Sequence, residues 1–385
     1  MRISHILNSL IFCVFLVFHW SCSEDKLHTD PPASDPVQDE LQALVDSRVG
    51  IDKLVGVSVS IRQNGLEKWS LVGGVSKEGS PVSKEMKFGI ASITKTAIAA
   101  AILKLGEEGK VGLDDAISKF LEITNKNIDP SITVFQLLNH YSGLKGYFQH
   151  PDIWPRVEDN LDTSIPSEEI LSYIGEPNFN PGARFEYSNS NYLVLGLIIK
   201  EASGQSVGDY LREKFWQRLE LRQTFFGTDE NIPSPIADPW RDGDGDGTLE
   251  NIKDEYGPAY HSVFFAAADI FTTAKDLSLW AEHLYNGNAL EPTSLEKMLD
   301  IVTIDSGSPY WNGYGLGVRR FYISGRLLIG HTGGMRGYGS YMIYDPSSGI
   351  SVSLLNNQSR SENGPLLRFE LMQDILNVVF EELDS

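Results

Sequence analysis

Cysteine is nearly absent from this chain, with two in 385 residues, Cys13 and Cys22. A mature form cut before Cys22 keeps one thiol, so no disulfide staples the fold. Positive charge is also scarce. With 32 Lys+Arg against 52 Asp+Glu the net charge is −20, which repels phosphate backbones and anionic headgroups and sets nucleic-acid binding aside. Long apolar runs are missing: residues 10–18 are uncharged and apolar but too short to cross a bilayer. Self-similarity at solenoid periods is missing as well. What remains is 41% hydrophobic and 22% charged, a globular balance able to bury a substantial core.

Residues 1–21 carry one cation, Arg2, then the apolar run and a polar break at Ser21-Cys22, the pattern of a secretory signal. The segment is similar to a bacterial lipoprotein leader, with Cys22 as the lipidated residue and the membrane as its partner; plain secretion is the alternative, since His19 and Trp20 depart from the usual small residues. The expected location is the periplasm or cell surface. Residues 22–37, rich in Asp, Pro and Ser, read as a flexible tether.

Beyond the tether, residues 37–49 have helical spacing, and residues 55–63 and 68–75 form a hairpin about Asn64-Gly65. A helix rich in small residues starts near Ser92. From about 113 to 288 the pattern is mainly helical, and four strand-like runs plus a closing helix, 365–381, follow. The expected architecture is α/β in the α+β sense. An antiparallel sheet built from both chain ends (about 38–95 and 289–380) is flanked by helices and carries an inserted helical part, about 96–288.

Ser followed three residues later by Lys on a helix puts both side chains on one face, so the amine can take the hydroxyl proton. The pattern occurs at Ser23/Lys26, Ser92/Lys95, Ser142/Lys145 and Ser294/Lys297. Only Ser92 opens an Ala-rich helix whose N–H groups favour developing negative charge. Ser23 falls in the tether, Ser142 at a helix end, and Ser294 reads as an N-cap. Two further elements are Tyr187-Ser188-Asn189, on a loop between helical segments, and His331-Thr332-Gly333-Gly334, where glycine permits close approach to a strand edge. Tyr310-Trp311-Asn312 repeats the first pattern. Gly204-Gln205-Ser206-Val207-Gly208 fits a nucleophile elbow, but helical spacing precedes it, so Ser206 reads as an N-cap. Asp242, Asp244 and Asp246 alternate with glycine as in half of a calcium loop, whereas Lys253 stands at the twelfth position. Both a structural calcium and a plain acidic loop stay open.

The order Ser92–Lys95, Tyr187–Asn189, His331–Thr332–Gly333–Gly334 resembles the serine β-lactamase and penicillin-binding-protein superfamily, in particular the group of class C β-lactamases, DD-carboxypeptidases and related esterases. Residues 136–144, 314–318 and 330–338 support the resemblance, which covers most of 38–380. It implies an acyl-enzyme on Ser92 and proton transfer by Lys95 and Tyr187. An oxyanion hole from the Ser92 and Gly334 amides, Asn189 on the substrate amide and Thr332 on its carboxylate are implied too. His331 stands where β-lactamases have Lys, with a charge expected to vary near neutral pH. Arg319 is placed for a terminal carboxylate or as a surface residue beside Arg320, and Arg336 is a second candidate. The resemblance implies a monomeric serine hydrolase needing no cofactor. Its expected substrate is a D-Ala–D-Ala-like peptide, peptidoglycan included; an esterase, a β-lactamase and a silent peptide-binding lipoprotein are the alternatives.

Overall fold

The computed structural model describes residues 35–50, 53–308, 310–359 and 364–385. The leader, Cys22 and nearly all of the tether lie outside them. Among the described residues no helix is long and apolar enough to cross a membrane.

Helix α1 (Pro36–Arg48) leads into strands β1 (Gly56–Gln63), β2 (Leu66–Lys77) and β3 (Ser80–Pro81). The C-terminal part supplies β4 (Val302–Thr303), β5 (Trp311–Tyr314), β6 (Arg319–Ile323), β7 (Arg326–Met335), β8 (Tyr338–Asp345) and β9 (Ile350–Asn356). They form one nine-stranded sheet in the order β3-β2-β1-β9-β8-β7-β6-β5-β4. The two chain ends meet where β1 pairs antiparallel with β9, Val57 opposite Asn356 through Gln63 opposite Ile350. This is the expected antiparallel sheet from both ends.

Alternation along β1 explains why it is buried on both faces. Val57, Val59 and Ile61 face the apolar sides of α1 and the closing helix Gly364–Asp384, packing with Leu41, Val45, Met372 and Ile375. Ser60 faces the opposite way and meets Ser278 of the helix Ala274–Tyr285, Oγ to Oγ 2.9 Å, while Ser353 Oγ donates to Ala274 O at 2.6 Å. Small hydroxyl residues let that helix lie close on the sheet while satisfying its backbone.

Between the sheet halves, helix α2 (Thr94–Glu107) packs on α3 (Asn189–Ser203) and α4 (Pro258–Ala268). Helix α4 was invisible to periodicity because Ala259 through Ala268 are buried on nearly every side and leave no polar stripe. Three two- or three-residue strands, Phe88–Gly89, Phe225–Phe226 and Ile270–Thr272, add a small sheet too short to read from sequence. Ser206 does cap its helix, its Oγ accepting from Asp209 N–H at 3.1 Å. Ser294, expected as an N-cap, instead lies inside the helix Pro292–Met298, whose N-cap is Glu291.

Candidate active site

Ser92 does not open an α-helix directly. It sits in a 3₁₀ turn, Ala91–Ile93, and α2 begins at Thr94, so Ser92 and Lys95 face each other across the junction. The turn is anchored on the sheet: Ser340 Oγ donates to Ile90 O at 2.8 Å, and a Cβ at Gly333 would lie 2.1 Å from the same oxygen. Glycine at 333 is therefore a requirement of this close approach. Ala91 has φ +50°, a left-handed conformation disfavoured for a residue with a Cβ, held beside the serine by these contacts.

Lys95 is fully buried, and its Nζ meets three oxygens: Ser92 Oγ at 3.1 Å, Asn189 Oδ1 at 2.8 Å and Ala267 O at 2.7 Å. Burial, with the Arg319 charge adding to it, pulls its pKa well below the usual lysine range. Asn189 Oδ1 and Ala267 O can only accept. The two N–H groups of a neutral Lys95 are thus taken by them, and its lone pair is left for the Ser92 hydroxyl. Tyr187, which precedes α3, has its ring 5.1 Å from Lys95 Nζ. Burial raises its pKa, while the adjacent Arg319 charge and the Ser92 and Arg319 side chains temper the rise. The Tyr187 hydroxyl is buried without a full hydrogen bond.

Beneath Tyr187 lies a chain of neutral groups. His331 Nδ1 faces Thr332 O at 2.6 Å, so Nδ1 carries the proton and Nε2 accepts from Tyr314 O–H at 3.2 Å. Tyr314 in turn accepts from His140 Nε2–H at 3.1 Å, and His140 Nδ1 accepts from Ser188 N–H at 3.2 Å and Asn191 Nδ2–H at 3.1 Å. Each tautomer follows from a backbone group at its end. The chain joins the Tyr187 loop to β7. Burial first, then Lys95 and Arg319, pushes both imidazole pKa values well below the ordinary histidine range.

This corrects two expectations for His331. Its charge does not vary near neutral pH, because it is buried beside cations with no carboxylate partner. It does not face substrate either, since it is fully buried and both ring nitrogens are engaged. Gly333 is similarly covered. Thr332 is half-buried and Gly334 exposed, with nothing within 4 Å of where its Cβ would be.

Strand β6 pairs with β7 only from Arg326 to Gly330, leaving residues 331–335 with no strand partner on that side. Arg319, at the start of β6, donates from Nη1 to Thr332 Oγ1 and lies 4.2 Å from the Trp311 ring and 5.3 Å from the Tyr187 ring. No carboxylate pairs with it among the described residues, whereas Arg320 turns outward to Asn312 and Thr303. Sequence reasoning missed His140, Tyr314, Asn191 and the Ala267 carbonyl. The first two stand in the segments 136–144 and 314–318 that carried the resemblance, which was the available signal.

The other candidates fall elsewhere. Ser142 Oγ donates to Asn191 Oδ1 at 2.6 Å, and Ser23 lies outside the described residues. Asp242, Asp244 and Asp246 converge with ligand oxygens within 4.8 Å of one another. Each also accepts a backbone amide of its own loop, as Asp242 Oδ1 does from Gly245 N–H at 2.7 Å. The convergence of an acidic loop does not assign a calcium.

The family model described as Beta-lactamase matches residues 41–376. "Protein flp" of Staphylococcus aureus (strain MW2) is 26% identical over 353 residues, covering 88% of this chain and 67% of that protein. "Penicillin-binding protein 4*" of Bacillus subtilis (strain 168) is 25% identical over 278 residues, 69% of this chain and 59% of that one. The chain thus spans about two thirds or less of the length of these relatives. Among solved structures, the D-amino acid amidase of Ochrobactrum anthropi SV3 superimposes with a TM-score of 0.80 at 25% identity, covering 90% of this chain and 99% of that one. A D-stereospecific amidohydrolase from Streptomyces sp. gives 0.74 at 26%, covering 83% and 94%. By its sequence match over most of its length and by its fold, the chain belongs to the beta-lactamase family, within the superfamily of serine β-lactamases and penicillin-binding proteins.

Proposed function

We propose that the chain is a D-alanyl-D-alanine carboxypeptidase-like serine hydrolase working through an acyl-enzyme on Ser92. The observation that carries this reading is the Lys95 amine, buried and held so that its free lone pair meets the Ser92 hydroxyl. Lys95 takes the Oγ proton as Oγ bonds to the substrate carbonyl carbon, and the amides of Ser92 and Gly334 receive the oxyanion. Tyr187 passes a proton to the departing nitrogen, the C–N bond breaks, and the terminal D-amino acid leaves. Water then attacks the ester by the reverse proton path and regenerates Ser92. Arg319, without an acid partner and stacked on two aromatic rings, and Thr332 hold the leaving residue's carboxylate; Asn189 offers its Nδ2 to the substrate amide. The family chemistry needs no cofactor.

A D-amino-acid amidase activity, named for the solved neighbour, leaves Arg319 with no carboxylate to bind. Esterase and β-lactamase activities use the same groups, and a silent binding lipoprotein has no use for the Ser92, Lys95 and Tyr187 set. Export and lipidation at Cys22 belong to the same proposal and are checked by membrane fractionation of wild type beside Cys22→Ser.

The test is intact mass after exposure to a penicillin, followed over time, beside Ser92→Ala. A lasting adduct on wild type and none on the variant is expected. An adduct that vanishes as product accumulates means a β-lactamase, hydrolysis of p-nitrophenyl esters alone means an esterase, and silence in both assays sinks the catalytic reading.

A further inference from the structure

A cavity of about 530 Å³ opens beside Gly334, walled by Trp154, Glu158, Arg241, Arg336, Tyr338 and Arg368. Three guanidinium groups wall it, in a chain of net charge −20. Arg368, from the closing helix, is only 9% exposed. Its Nη1 donates to Asn356 Oδ1 at 3.0 Å and sits over Gly339, where a Cβ would meet it at 1.9 Å. Its Nε has no hydrogen-bond partner, and no carboxylate pairs with it among the described residues. A buried cation with no carboxylate partner among the described residues is costly, and here it borders an open cavity. Arg336 is held by Glu158 and Glu255, each at 3.3 Å, but these carboxylates are 60% and 40% exposed, so a ligand anion can replace them.

The position of the cavity says which part of a substrate reaches it. Residues 331–335 are an unpaired strand edge, suited to an extended chain. With a leaving carboxylate at Arg319 and Thr332 and the scissile carbonyl at Gly334, the acyl portion continues toward Arg336. Arg336 follows Gly334 by two residue steps, just past the end of β7, a span of about 7 Å.

Resting on the acyl-enzyme reading above, we propose that this cavity is a subsite for an acidic acyl group. The substrate carries a carboxylate about two residue lengths on the acyl side of the bond that is cut, and Arg368 and Arg336 bind it.

The probes are the mono-p-nitrophenyl ester of adipic acid and the matching ester of its half-amide. They share a leaving group and shape and differ by one charge. In each, the Ser92 Oγ–acyl bond forms, the ester C–O bond breaks, and p-nitrophenolate departs while the Oγ proton passes through Lys95 to solvent. With the full chain, the second-order acylation rate is expected to be at least about tenfold higher for the carboxylate, the worth of a charge-assisted pair. Salt should erode that ratio, and Arg336→Gln and Arg368→Gln should bring it close to one. If Arg368→Gln does not fold, Arg336→Gln and the salt titration of wild type carry the same test.

Equal rates for the two esters, or a preference that survives both substitutions, overturn the subsite while leaving Ser92 acylation intact. A preserved ester preference together with no cleavage of a D-Ala–D-Ala peptide upholds the subsite and removes only the carboxypeptidase reading. Failure of both esters to label Ser92 overturns both.

Discussion

Among the described residues, a pair of histidines beneath Tyr187 and a single one in α4 handle burial in opposite ways. Beneath Tyr187, His140 and His331 share Tyr314 between them and face Lys95 and Arg319, so burial and neighbouring cations leave both rings uncharged. In the first turn of α4, His261 Nδ1 lies 2.8 Å from Oδ1 of the fully buried Asp269, which follows the helix, and that carboxylate raises its pKa despite burial. A carboxylate partner thus decides whether a buried imidazole keeps its proton. At the catalytic floor the absence of one keeps both rings neutral, so Arg319 is the fixed cation there while Lys95, its pKa lowered by burial, can stand unprotonated toward Ser92.

Removing the amine is the most severe way to disturb this arrangement. Lys95→Met is expected to slow acylation of Ser92 about 10²–10⁴-fold, the usual worth of a positioned general base. Wild-type acylation should rise with pH through a limb lying well below 10.5, as Lys95 loses its proton, and the variant should lack that limb; stopped-flow acylation from pH 5 to 10 checks both. Next in size is Asp269→Asn, which takes the acid from His261 and should cost about 2 kcal/mol in urea denaturation. The sign of its pH dependence is more telling. In wild type the raised His261 pKa contributes stability that is complete below about 6.5 and fades as pH rises through the folded value. Without the carboxylate, burial lowers that pKa, and the His261 contribution instead declines as pH falls below about 6.5.

Much of this was legible in the sequence where a residue's role depends on its neighbours along the chain. Ser92 and Lys95 are one helical turn apart, the Asn64-Gly65 turn fixed a hairpin, and both chain ends had strand patterning. The sheet and its flanking helices followed from these. His331 was misread because its setting depends on Tyr314, 17 residues upstream, and on His140, a further 174 residues upstream, which no local pattern links. The Ala267 carbonyl, which holds Lys95, carries no side-chain signature at all. Helix α4 escaped for a related reason: a segment apolar on every side has no period to detect.

Tyr314→Phe is a smaller disturbance. It removes the hydroxyl that accepts from His140 and donates to His331, leaving two buried ring nitrogens without partners. A loss of about 1–3 kcal/mol in urea denaturation is expected. Because the chain ties the Tyr187 loop to β7, acylation should slow as well, by less than in Lys95→Met.

The finest distinction requires no substitution. Thr332 O obliges His331 to carry its proton on Nδ1, while the Ser188 amide obliges His140 to carry its own on Nε2. The two rings are therefore opposite tautomers, joined through one tyrosine hydroxyl that can donate in only one direction. Nitrogen-15 NMR of histidine-labelled protein should show, among its eight histidines, His140 and His331 as one ring of each type with shifts constant from pH 6 to 8, and His261 keeping its proton to higher pH than an ordinary imidazole. Two like tautomers would leave one ring nitrogen facing a group of its own kind, and a titrating His331 would place a second variable charge beside Lys95. Either result would break the contrast between the pair and His261, because the floor of the site would then hold a proton that its hydrogen bonds have no place for.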